Sequence, residues 1–257
     1  MRFILTLSRI KQDERILPIN YQYEVSAWIY RVIGQGDPAF SKWLHEQGYA
    51  DDKKQFRLFT FSNLIIPDKS IRGDRIVIGS ESIRIIISFL PHEAITHFIQ
   101  GLFRNQEFRL GDRQSQVSFR VTSVEGLPEP LFHHEMSFRS LSPTLVTQMI
   151  PGERYARYLA PDHPEYTHLF FSNLNEKWKA FTGKVYHNHN GPEAISPTST
   201  VRKKGILIKS GTPMESRLIG YSFDFRITGP ADLIRLGYYT GFGEKNSMGF
   251  GCTEVVQ

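Results

Sequence analysis

Two side chains capable of acid–base chemistry fall on consecutive predicted helices near the start of the chain. At about 100° per residue, Tyr30 lies off the apolar stripe of the first helix, and His45 lies roughly 140° from Phe40 on the second. His45 also falls in the last helical turn, where the helix dipole favours a protonated imidazole. The pattern alone favours two exposed side chains, because single exposed aromatic residues are ordinary.

The C-terminal region is unusually rich in glycine. Five glycines fall within residues 237–251, and Lys245, Asn246 and Ser247 stand among them. Glycine permits positive φ and a close approach of ligand to backbone, so N–H groups here could face phosphate oxygens. We expect no dinucleotide fingerprint, which needs a helix after the glycines, because only six residues of this sequence follow Gly251; we expect no P-loop because Gly-Lys-Ser/Thr is absent. A hairpin connection with bulges is the alternative interpretation.

The histidine spacing argues against a metal site. Among nine histidines there is no His-Glu-x-x-His, and the His187–His189 pair lacks a third ligand nearby. The single cysteine, Cys252, excludes a zinc site with two thiolates. We therefore expect no metal and no cofactor. A metal-dependent hydrolase built on the His187–His189 pair remains as an alternative.

Basic residues cluster at two places. Arg202, Lys203 and Lys204 begin a predicted strand, where they could bind RNA phosphates or form an ordinary charged strand end. Lys54 and Arg57 precede a second predicted strand. The whole chain carries 31 Lys and Arg against 26 Asp and Glu, so its net charge of +5 permits a polyanionic partner without requiring one.

The composition is that of a globular protein. Of 257 residues, 40% are hydrophobic and 22% are charged, which excludes disordered and fibrous classes. No apolar stretch reaches the roughly 18 residues of a membrane span, and one cysteine fits a reducing compartment. We expect a cytoplasmic protein without membrane attachment.

The order of predicted elements indicates an α+β protein. Predicted strands cover 2–7, 56–61, 75–90 and 116–124, then 135–141, 201–209, 217–228 and 250–256. The 75–90 segment is predicted to be a hairpin turning at 79–81, and 187–200 is predicted to be a loop. Helices are predicted over 21–33, after Asp37, after Pro91, over 169–181 and after Pro230. This order predicts two tandem ferredoxin-like (RRM-like) βαββαβ domains, 1–125 and 126–257.

Several sequence segments, in order, resemble one protein family. GFGEKNSMGFG at 241–251 resembles the glycine-rich loop of CRISPR-associated endoribonucleases of the RAMP superfamily, which cut CRISPR repeat RNA. The other matching segments are MRFILTL, NYQYEVSAWIYRVI, WLHE at 43–46, LFTFS at 58–62 and SLSPTLV at 140–146. The resemblance covers most of the chain, and it implies the same tandem fold and RNA cleavage without metal by attack of a ribose 2′-OH.

The resemblance also implies roles for particular residues. Tyr30 and His45 match the family's catalytic tyrosine and histidine. The family's third catalytic residue is a lysine just before the LFT strand; here Arg57 holds the adjacent position, and Lys53 and Lys54 come earlier. Lys54 is preferred on residue type, although its spacing departs from the family, and Arg57 is the alternative.

These observations predict a metal-independent endoribonuclease acting on CRISPR precursor RNA, with 2′,3′-cyclic phosphate and 5′-hydroxyl products. The alternative prediction is a non-catalytic RNA-binding subunit of a CRISPR effector complex. A homodimer is a possible assembly of the chain. The residues expected to bind RNA are Arg202, Lys203, Lys204, Gly241, Gly243, Lys245, Asn246, Ser247, Gly249 and Gly251.

Overall fold

The computed structural model of the chain describes residues 1–51, 54–187, 191–210 and 212–256. The elements of its first half are β1 (Arg2–Arg9), β2 (Ile16–Pro18), α1 (Gln22–Gly36), α2 (Pro38–Glu46), β3 (Tyr49–Asp51), β4 (Lys54–Phe56), β5 (Phe59–Phe61), β6 (Lys69–Arg72), β7 (Arg75–Ile78), β8 (Ser82–Phe89), α3 (His92–Arg104), β9 (Glu107–Gly111) and β10 (Gln116–Leu127). Those of the second half are β11 (Glu135–Ser140), β12 (Thr147–Gln148), β13 (Arg157–Tyr158), α4 (Tyr166–Thr182), β14 (Ala194–Pro197), β15 (Arg202–Ile208), β16 (Ser216–Ser222), β17 (Phe225–Thr228), α5 (Ala231–Thr240) and β18 (Thr253–Val255).

The first half contains an antiparallel sheet with strand order β5-β8-β1-β10-β9. Helices α1 and α3 pack together, and their apolar faces share one core with the sheet. With β9 as an added edge strand, β1-α1-β5-β8-α3-β10 is a ferredoxin-like unit.

The second half repeats this topology. Its antiparallel sheet has strand order β14-β17-β11-β18, and the buried faces of α4 and α5 complete a separate core. The element order β11-α4-β14-β17-α5-β18 is again βαββαβ, so the predicted tandem ferredoxin-like fold is confirmed.

The start of α2 follows from its sequence. Asp37 caps the helix, because its carboxylate accepts a hydrogen bond of 2.9 Å from the Phe40 amide, and Pro38 occupies the first helical position. At the other end, Gly48 has a φ of +61° and its amide donates to the Trp43 carbonyl at 2.9 Å. The helix that carries His45 is therefore fixed at both ends by local interactions.

The predicted hairpin in the first half was wrong. Residues 75–90 do not form a hairpin, because β7 pairs with β2 and β6 whereas β8 pairs with β1 and β5. The Gly79 amide donates to the Asp68 carbonyl at 2.9 Å, so the chain crosses here from one sheet to another. Alternating apolar residues predict a strand but do not specify which strand pairs with it.

In the second half, the sheet strand before β17 was missed. β14 forms part of the segment predicted to be a loop, and it contains Pro197 and only one buried residue, Ile195. The more regular β15 and β16 form a separate hairpin instead. A short edge strand with a proline gives a weak pattern in sequence.

The two halves meet around β5. The Thr60 hydroxyl donates to the Phe250 carbonyl at 2.9 Å. Elsewhere, the buried Arg2 guanidinium lies 4.0 Å from the centre of the Tyr238 ring and donates to the Cys252 sulfur at 3.3 Å. Residues separated by 190 and 250 positions thus hold the glycine-rich segment against the first sheet. Among the described helices, none is long and apolar enough to cross a bilayer.

Candidate active site

The helical hairpin of α1 and α2 brings Tyr30 and His45 together. Their ring centroids lie 5.0 Å apart with the rings nearly perpendicular. The Ser41 hydroxyl donates to the Tyr30 carbonyl at 2.8 Å, which ties the two helices together beside the pair. His45 is exposed, whereas Tyr30 is half-buried with its ring 5.5 Å from that of Phe59. Tyr30 therefore does not avoid the core as its position on the helical wheel predicts, because β5 covers one side of its ring.

The hydroxyl of Tyr30 lies among polar groups from two other segments. Burial raises the pKa of this phenol above its usual value, while the Arg57 guanidinium and the Ser247 hydroxyl oppose the rise. Tyr30 is therefore protonated at neutral pH and can donate a hydrogen bond.

Arg57 is held against the helix that carries His45. Its guanidinium donates to the carbonyl of His45 at 2.6 Å, to the carbonyl of Gln47 at 3.2 Å and to the side chain of Gln55 at 3.2 Å. The next residue, Leu58, has a φ of +53°, a left-handed conformation that is costly for a branched side chain. This strained backbone lies at the turn that leads from Arg57 into β5.

Lys54 is directed elsewhere. Its ammonium lies 2.7 and 2.8 Å from the two carboxylate oxygens of Glu176 on α4. Lys54 thus borders the site but is paired, whereas Arg57 reaches the Tyr30–His45 pair. The geometry therefore brings Arg57, rather than Lys54, next to the Tyr30–His45 pair. Lys53 lies outside the described residues.

A cavity of about 740 Å³ opens in front of the pair, between the two halves of the chain. The first half contributes α1, His45 and the segment 54–58, and the second half contributes α4 and the glycine-rich loop. Its lining residues are Tyr23, Ser26, Ala27, Tyr30, His45, Lys54, Gln55, Phe56, Arg57, Leu58, Asn173, Lys177, Glu244, Lys245, Asn246, Ser247 and Met248.

The glycines of the C-terminal loop are buried. Gly241, Gly243, Gly249 and Gly251 have φ between +71° and +89°, and each is packed against its surroundings. A Cβ on Gly249 would lie 2.6 Å from the Phe61 ring. These positions need glycine for backbone conformation and close packing.

The loop amides are also used inside the protein. The Gly251 amide donates to the Pro143 carbonyl at 2.8 Å, and the Gly249 amide donates to the Asn246 carbonyl at 2.9 Å. The amides of Gly249 and Gly251 are therefore already bonded within the protein and do not face the cavity as phosphate donors. The Asn246 side chain is likewise buried and donates to the Phe242 and Phe250 carbonyls.

Of the five loop residues that line the cavity, Lys245 supplies a cation and Ser247 a hydroxyl, whereas the Glu244 carboxylate accepts a hydrogen bond from the Thr147 amide at 2.8 Å. Lys245 is exposed and Ser247 is half-buried beside Tyr30. The loop thus brings a cation, a hydroxyl and a carboxylate to the cavity, and the glycines serve to place them there.

Lys177 is a buried cation beneath the glycine-rich loop that the sequence pattern did not single out. It is 1% exposed, and its ammonium donates to the carbonyls of Gly241 and Gly243, each at 2.7 Å. Burial lowers the pKa of Lys177 to about 7. The sequence contains a signal that Lys177 is buried. Phe170, Leu174 and Lys177 follow one another at i, i+4 and i+7, which places the lysine on the buried face of α4.

The basic run on β15 is exposed but separate from the cavity. None of Arg202, Lys203 and Lys204 belongs to the cavity lining. The hairpin that carries them reaches the segment just before α1, where the Leu207 amide donates to the Asn20 side chain at 3.0 Å. These three residues therefore lie on a surface next to the site rather than within it.

The described residues contain no cluster of three or more His, Cys, Asp and Glu side chains arranged to hold a metal ion. In the pair considered for a metal, His187 is described, whereas His189 lies outside the described residues.

Comparison with known proteins gives concordant matches. The family model for the CRISPR associated protein Cas6, C-terminal, matches residues 127–255, and that for the Cas6 N-terminal region matches 16–124. The chain is 30% identical over 245 residues to the CRISPR-associated endoribonuclease Cas6 1 of Methanocaldococcus jannaschii, covering 94% of this chain and 88% of that protein. It is 28% identical to the CRISPR-associated endoribonuclease Cas6 of Pyrococcus furiosus, covering 99% and 90%. A solved structure of a Cas6-related protein from Pyrococcus furiosus superimposes with a TM-score of 0.84 at 25% identity, covering 100% and 98%.

Proposed function

The chain belongs to the CRISPR-associated Cas6 family, and from this premise we propose that it is a metal-independent endoribonuclease that cuts CRISPR precursor RNA within the repeats. The observation that supports this most directly is the Tyr30–His45 pair, with Arg57 beside it, at the mouth of a cavity between two ferredoxin-like domains. We place the domains at 1–125, which carries the pair, and 126–257, which carries the glycine-rich loop.

The proposed reaction is an internal transfer at one phosphate. The ribose 2′-oxygen bonds to the phosphorus, the bond from phosphorus to the 5′-oxygen breaks, the 2′-OH gives up a proton and the 5′-oxygen gains one. The products carry a 2′,3′-cyclic phosphate and a 5′-hydroxyl. The reaction therefore needs proton transfer and stabilisation of a phosphorane with extra negative charge.

The residues of the site divide these tasks by their chemistry. His45 is exposed to solvent beside Tyr30, and histidine is the side chain that most often transfers protons in enzymes, so we assign proton transfer to it. Tyr30 is protonated at neutral pH, so it orients the nucleophile by donating a hydrogen bond rather than by acting as a base. Arg57 stabilises the phosphorane, because its fork of donors suits phosphate oxygens.

RNA binding is proposed for the exposed cations. Lys245 on the loop binds the strand at the cavity, and Ser247 helps to hold Tyr30. Arg202, Lys203 and Lys204 bind phosphates farther along, on the exposed hairpin. Relatives with solved structures include a RAMP protein described as binding different RNA substrates, with a TM-score of 0.83 at 24% identity.

The test is incubation of the purified protein with its cognate repeat RNA in EDTA, followed by analysis of the new ends. We expect one cut per repeat and a new 5′-hydroxyl end that a kinase can label. We expect no cut when the nucleotide before the scissile phosphate carries a 2′-deoxyribose in place of its ribose. Loss of cutting in EDTA with recovery in magnesium would contradict the metal-independent mechanism. RNA that is bound but never cut would favour a non-catalytic subunit of an effector complex.

A further inference from the structure

A second groove starts at the Tyr30–His45 pair and runs between α1 and α2. It is an open surface groove of about 600 Å³, and all its lining residues belong to these two helices. Ala27, Tyr30 and His45 line both this groove and the interdomain cavity. The two spaces are therefore continuous across the pair.

The groove is preformed because the helices approach closely along it. A Cβ on Gly34 would lie 3.4 Å from the Ser41 side chain, and the Ser41 hydroxyl is bound to the Tyr30 carbonyl. Gly34, Pro38 and Ser41 are small lining residues, and the longer lining side chains beyond the pair, Arg31, Gln35, Lys42 and Glu46, are all polar or charged.

The groove carries two cations that the protein leaves available. Arg31 and Lys42 line it from opposite helices, and both are exposed. Among the described residues neither has an ion pair or a side-chain hydrogen bond, unlike Lys54, which binds Glu176. Glu46 is the acidic residue that lines the groove, so the cations exceed the acidic charge there.

RNA is a polymer, so a strand cut at the pair must continue on both sides of the scissile phosphate. We propose that the α1–α2 groove is the RNA subsite for one of these flanks, with Arg31 and Lys42 binding its backbone phosphates. This inference rests on the proposed function and extends it to a site of its own. Beyond the pair, the groove has no aromatic side chain on which a base could stack, so its contacts are with the backbone and are insensitive to base identity.

The test uses the full chain and the cognate repeat RNA made resistant to cleavage by a 2′-deoxyribose before the scissile phosphate. Three RNAs are compared: the whole repeat, one ending one nucleotide after the cut, and one starting one nucleotide before it. The variant Arg31→Gln with Lys42→Gln removes both charges while keeping good helix-forming side chains. The matched control is Lys69→Gln with Arg72→Gln, which removes two exposed charges on β6 that line neither space.

We expect the groove variant to bind the whole repeat about tenfold more weakly and its log–log salt slope to fall by roughly 1.4, which is two phosphate contacts at about 0.7 each for a single strand. Of the two shortened RNAs, one lacks the flank that lies in the groove. We expect the variant and the parental protein to bind that RNA with equal affinity. Changing the bases of that flank leaves the affinities unaltered.

Three results would overturn the subsite: equal weakening with all three RNAs, no weakening with any, or the same loss in the control. None of these would touch the proposed activity, which fails separately if the parental protein leaves the unmodified repeat uncut. Thermal unfolding of both variants verifies that they are folded, as expected from the exposure of all four side chains.

Discussion

Replacing Arg57 by alanine is expected to slow RNA cleavage about 10²–10³-fold, because removing one preorganised group that stabilises transition-state charge typically has this effect. The guanidinium is fixed by three hydrogen bonds and lies beside the Tyr30 hydroxyl. RNA affinity should change much less, since the added charge of the phosphorane exists only in the transition state.

The comparison variant is Lys54→Ala. The Lys54 side chain is 62% exposed, and its pair with Glu176 is of the surface kind that contributes less than about 1 kcal/mol to stability. Because the ammonium is directed to α4, we expect the cleavage rate to fall less than about threefold. Arg57→Lys retains the charge but loses the fork of donors, so it should restore only part of the rate.

The assay is single-turnover cleavage at saturating enzyme, together with the Kd for a 2′-deoxy repeat RNA. Arg57 also binds the carbonyls of His45 and Gln47, so its loss could loosen the end of α2. Added guanidinium at millimolar concentration separates the two effects, because it can replace the charge but not the tether. The reasoning is refuted if Lys54→Ala slows cleavage at least about tenfold while Arg57→Ala does not.

Three other outcomes are expected. His45→Ala should slow single-turnover cleavage about 10²–10⁴-fold with a nearly unchanged Kd, because a proton-transfer group is lost; a parental rate would remove His45 from the mechanism. Gly249→Ala should lower the free energy of unfolding in urea by more than Gly152→Ala does, because both have positive φ but only the first places a Cβ 2.6 Å from a ring; equal losses would contradict this packing. Between pH 7 and pH 10 the stability of the parental protein should rise relative to that of Lys177→Met, because burial lowers the pKa of Lys177 to about 7 from the usual 10.5 and the unfolded chain then binds more protons; parallel pH profiles would show that the pKa is not lowered.

The helical hairpin could be predicted from sequence because its determinants are local. The cap at Asp37, the stop at Gly48 and the apolar stripe of α1 each depend on residues within about two turns of one another. Such patterns predicted where the helices lie and that His45 is exposed. The tandem ferredoxin-like fold followed from the order of elements, because each unit needs its strands and helices in one fixed sequence.

Strand partners and side-chain partners could not be predicted in this way. Lys54 meets Glu176 at a separation of 122 residues, and Thr60 meets Phe250 at 190. The same kind of long-range packing turned the Gly251 amide toward Pro143 and placed Lys177 beneath the loop. A sequence pattern records the type and spacing of nearby residues, whereas these contacts form only when the two domains pack, so the tertiary structure alone decided which cation reaches the Tyr30–His45 pair.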